Sequence, residues 1–92
     1  MGSLRQPTAP AGLSESPAAR HMGDLVRGEA RWSVYLETKA DGNTAIGRLH
    51  FYDGSRRRSS AWIFREWTEP EILERFNGFS PVQLWDLLES LG

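Results

Sequence analysis

The sequence predicts a small α+β domain, a three-stranded antiparallel meander followed by two C-terminal helices packed on one sheet face (β-β-β-α-α). Three observations carry this. Apolar and polar residues alternate through most of residues 30–67, the period of a strand. Two Asp-Gly pairs, Asp41-Gly42 and Asp53-Gly54, divide that run into three, and Asp-Gly is a common hairpin signal. After Thr68 the apolar spacing becomes helical, and each of two helical segments opens with a capping box.

The first strand spans residues 30–40, with Trp32, Val34 and Leu36 on one face and Arg31, Ser33, Tyr35 and Glu37 on the other. The second spans residues 43–52, where Ala45, Gly47, Leu49 and Phe51 oppose Ile46, Arg48, His50 and Tyr52. The third is read as one continuous strand over residues 56–67. Thr68-Glu69-Pro70-Glu71 then starts a helix, because Thr68 accepts from the Glu71 N–H while the Glu71 carboxylate reaches back. Asn77-Gly78 ends it, and Ser80-Pro81-Val82-Gln83 opens a second helix in the same way. The apolar arc of that second helix (Val82, Leu84, Trp85, Leu87, Leu88, Leu91) is wider than the stripe of an ordinary surface helix, so it is expected to be covered from two directions.

Residues 1–28 carry Pro7, Pro10 and Pro17 and no aromatic side chain, whereas all 4 Trp, 2 Tyr and 4 Phe lie between Trp32 and Trp85. Residues 1–28 are therefore expected to be a disordered tail and residues 29–92 the single folded domain. His21-Met22 is the dipeptide a common restriction site encodes at a start codon, so residues 1–21 are read as vector-derived in preference to a native low-complexity tail. An alternative for residues 24–28 is a lead-in turn or a short extra strand.

Composition removes several classes. Zero Cys excludes a disulfide scaffold, a thiolate metal site and a cysteine nucleophile. A net charge of −1 argues against coating nucleic acid or membrane by bulk charge. No run approaches the roughly 18 apolar residues of a membrane span. The expectation is a cytoplasmic protein without cofactor or metal. Charge is nonetheless segregated: residues 29–67 hold 7 basic and 5 acidic groups, and residues 68–92 hold 1 and 5.

His50 has no nucleophile and orienter at a supporting spacing and is read as a sheet-surface histidine, so no enzyme is expected. Arg57-Arg58-Ser59-Ser60 suits basic-directed kinases acting on Ser60, although a chance serine pair on a strand is the preferred reading. Arg56-Arg57-Arg58 is read first as a solvated hairpin tip that keeps an edge soluble. The hairpin Asp53-Gly54-Ser55-Arg56-Arg57-Arg58, set among three strands and a following helix, resembles the sheet-type DNA-binding domains of integrase arm-binding and plant AP2 proteins. That resemblance implies a sheet entering the major groove.

The third strand, apolar on both faces at Ala61-Trp62-Ile63-Phe64, lies at an edge and calls for a cover: an N-terminal segment or a second subunit. The function expected is thus a non-enzymatic protein-interaction or regulatory module, paired with itself as a homodimer or with another protein, through Trp62, Phe64, Trp85 and Leu88. The alternative is nucleic-acid binding through Arg48, Arg56, Arg57, Arg58 and Arg65.

Overall fold

The computed structural model describes residues 19–92. It is an α+β fold, as the sequence predicts. A three-stranded antiparallel meander, β1 (Ala19–Arg27), β2 (Ala30–Asp41) and β3 (Thr44–Tyr52), is extended by two short strands, β4 (Arg57–Ser59) and β5 (Phe64–Glu66). Helices α1 (Glu69–Asn77) and α2 (Pro81–Ser90) follow and pack on one face of the sheet.

β1 corrects the expected tail. Residues 19–27 are a strand paired with β2 along its length, from Ala19 opposite Glu37 to Arg27 opposite Ala30. The remainder of the expected tail, residues 1–18, lies outside the described residues. β1 escapes a periodicity reading because a bulge between His21 and Gly23 breaks its alternation. Leu25 faces Trp32 and enters the core, while beyond the bulge His21 turns to the opposite face and lies over Tyr35, ring centroids 5.1 Å apart.

The β2–β3 hairpin forms where expected, displaced by one residue. Asp41 pairs with Thr44, so the two turn residues are Gly42 and Asn43. Only Gly42 has positive φ (63°), the pattern of a type II′ turn, which takes glycine first.

The expected third strand is broken. Ser59 faces His50 and Phe64 faces Gly47, so five steps along one chain meet three on β3 and two residues are in excess. Ser60 holds the break together. Its N–H donates to the Leu49 carbonyl (2.9 Å), its Oγ accepts from the Leu49 N–H (3.0 Å), and its hydroxyl donates to the Ala61 carbonyl (2.7 Å). With Ser60 only 5% exposed and its hydroxyl so engaged, a kinase cannot reach it in the folded domain.

The core joins Trp32, Val34 and Leu36 of β2 and Leu49 and Phe51 of β3 to Ile72 of α1 and Leu84, Trp85 and Leu88 of α2. Gly47 lets α1 approach: a Cβ there would lie 3.1 Å from Ile72 Cγ2 and 3.3 Å from the Glu37 carbonyl. Both capping boxes form, Thr68 with Glu71 and Ser80 with Gln83. Gly78 ends α1 in a right-handed conformation (φ −78°), so glycine's access to positive φ is not what stops the helix.

Candidate functional site

The helices leave the other sheet face without a covering element among the described residues. Register dictates what gathers there. β2 and β3 pair with Glu37 opposite Arg48 and Tyr35 opposite His50, and β4 brings Ser59 opposite His50. The result is a polar relay. Glu37 Oε1 accepts from Arg48 Nε (2.9 Å) and lies 2.7 Å from His50 Nε2, while His50 Nδ1 lies 2.6 Å from Ser59 Oγ. His50 is 4% exposed and Ser59 is open to solvent.

Burial pushes the Glu37 carboxyl up, but hydrogen bonds from His50 and Arg48 outweigh it, and the net shift is downward. An ionised carboxylate only accepts, so in the neutral imidazole the His50 proton is on Nε2 and Nδ1 accepts from the Ser59 hydroxyl. His50 is therefore a buried, fully partnered histidine and not the sheet-surface residue expected. Of the serines and carboxylates that follow it in the chain, Ser59 is in contact. Asp53 instead binds Arg56, Ser60 binds Leu49, and Glu66 binds Arg75. Sequence reasoning missed Glu37, because a turn at Asp41-Gly42 would set it opposite Ile46, and only the observed turn at Gly42-Asn43 brings it diagonal to His50.

The four residues expected at a protein interface separate. Trp62 is on the open face, half-buried, with Arg48 Cζ 4.4 Å and Lys39 Nζ 4.6 Å from its ring centroid. Phe64, Trp85 and Leu88 are 5%, 9% and 5% exposed, so they are core and present no outer surface. Phe64 meets Phe79 edge-on, and Arg27 lies over Trp85 while binding Glu89. The wide arc of α2 is met largely within one chain, because β1 and Trp32 complete the cover; Val82 stays 68% exposed. Of the other exposed large apolar side chains, Ile63 at 44% and Trp67 at 72% flank β5, and Val26 at 57% is on β1.

The five arginines also separate. Arg48, Arg57 and Arg65 are on the open face by register, and Arg58, opposite Phe51, is on the helix side. Arg56 makes two bonds to Asp53 Oδ2 (3.0 and 2.8 Å) and lies 5.0 Å from the Trp32 ring centroid. Arg65 binds Asp41 and Thr44 at 2.8 Å each.

Among the described residues three carboxylates have lowered pKa values. For Asp53 the cause is the backbone N–H groups of Ser55 and Arg56. For Asp24 it is the hydrogen bond from His21, against an opposing effect of burial. Glu37 is the third. A depressed folded-state pKa contributes stability that is present above the ordinary value, 3.8 for Asp and 4.5 for Glu, and is lost as pH falls through the folded value. The denaturant midpoint is expected to hold from neutral pH to about pH 5 and to decline below about pH 4. A midpoint unchanged down to about pH 2.5 would remove these carboxylates from the account.

Among the described residues no helix is long and apolar enough to cross a membrane. Comparison with models of protein families, with curated proteins and with solved structures gives no match to this chain.

Proposed function

We propose that the domain is a non-enzymatic protein-interaction module that pairs with a second copy of itself along β5. The observation that carries this is the outer side of β5. Among the described residues the strand bonds to β3 on one side only, and Ile63 and Trp67, the residues flanking it, are exposed. An unpaired edge flanked by exposed apolar side chains is what soluble proteins normally avoid or use. Its spacing also suits a two-fold pair. An axis through Arg65, normal to the sheet, sets Ile63 of one copy opposite Trp67 of the other, twice, on one face. Arg65 would meet its own symmetry mate there, and its bond to Asp41 offsets that repulsion.

The nucleic-acid reading gains less support. The arginines divide between two faces, and Arg48, Arg56 and Arg65 already hold carboxylates.

Sedimentation over a concentration series tests the pairing. Trp67→Ala is expected to weaken association about 30-fold, as loss of a tryptophan anchor worth about 2 kcal/mol would. Its thermal midpoint at concentrations where the chain is monomeric should not change, since Trp67 is already 72% exposed. Equal association of variant and parent would contradict the assignment of this edge.

A further inference from the structure

Glu37, His50 and Ser59 are in line by contact: carboxylate to Nε2 at 2.7 Å, Nδ1 to hydroxyl at 2.6 Å. We propose that Ser59 is an activated nucleophile, and that this surface accepts an acyl group from a donor with a good leaving group. The inference goes beyond the pairing of β5 and stands without it.

The geometry meets all three roles. The nucleophile is on the solvent side of β4, where a donor can approach. The base has no freedom to turn, because it is buried and both ring nitrogens are engaged. The orienting carboxylate is fixed in turn by Arg48. This is the logic of nucleophile, base and orienter, with the ring nitrogens used in the opposite sense to the familiar serine hydrolases. Ser59 Oγ attacks the acyl carbon as its proton passes to His50 Nδ1. The bond to the leaving group then breaks, and that proton departs with the leaving group. The product is a Ser59 ester and the free alcohol or phenol. The claim is one acylation per chain, not turnover.

p-Nitrophenyl acetate supplies the test on the full-length chain. The expected result is one acetyl mapped to Ser59 by peptide mass spectrometry, with release of one equivalent of nitrophenol. The rate should fall at least about 100-fold in His50→Gln, the usual contribution of a positioned base. Acetylation confined to Lys39 and the N-terminal amine would overturn the proposal, as would equal Ser59 acetylation in His50→Gln. Ser59→Cys keeps the test independent of whether His50→Gln folds. The charged or titratable groups facing its thiol are His50, Glu37 and Arg48, with Arg57 on its own strand and Tyr35 across from His50. Its iodoacetamide reactivity is expected to titrate at least about one pH unit below the ordinary thiol near 8.5. An ordinary or raised value would overturn the proposal.

Discussion

A chain begun at Glu29, lacking β1, is expected to lose its cooperative unfolding transition. β1 pairs with β2 over eight residue positions. It also supplies Leu25, 5% exposed, and partly buried Met22 to the core, and Arg27 to the face of Trp85. Burying one leucine contributes about 2 kcal/mol, and uncovering Trp32 beside it removes a comparable amount. A single core in a domain this small rarely supplies more than about 3–5 kcal/mol, so the two losses together approach the whole. Urea titration followed by tryptophan fluorescence checks this. A truncated chain that unfolds at the parent's midpoint would show β1 to be dispensable.

Ser60→Ala is expected to destabilise the domain by about 1–3 kcal/mol, although it deletes one oxygen atom. At the break between β4 and β5 the backbone offers the Leu49 N–H no partner, and Ser60 Oγ is what it reaches. Leu49 is 0% exposed, so water cannot replace the lost acceptor without opening the sheet. Ser60→Thr keeps the hydroxyl and should recover part of the loss. Ser59→Ala, one residue away and exposed, is expected to cost less. Equal midpoints for the two alanine variants would mean that the break does not depend on the side chain of Ser60.

Both predictions rest on features the sequence conceals, for physical reasons. The helices were legible because Thr68, Glu71, Ser80 and Gln83 act within one turn, so their chemistry is written in adjacent residues. The β2–β3 hairpin was legible because both strands alternate cleanly about a glycine turn. β1 was not, since its bulge interrupts the alternation and its large apolar side chains are Met22, Leu25 and Val26 alone. The break at residues 60–63 was not, since a run apolar on both faces reads equally well as one buried strand. The same ambiguity assigned Phe64 to an outer surface, when it packs on Phe79, and the width of the α2 arc assigned Trp85 and Leu88 there, when β1 and Trp32 cover them. The relay at His50 depends on three strands in register. Its diagonal to Glu37 depends on the displacement of the turn to Gly42-Asn43, and its contact with Ser59 on where β4 ends.

The central claim, that β5 is a pairing edge, is met most directly by backbone amide chemical shifts recorded on dilution. The account predicts concentration-dependent shifts concentrated at Ile63, Phe64, Arg65, Glu66 and Trp67, with the β1 edge unchanged. Shifts that leave these residues still, or a spectrum that does not respond to concentration up to about 1 mM, an affinity of only about −4 kcal/mol, would contradict it.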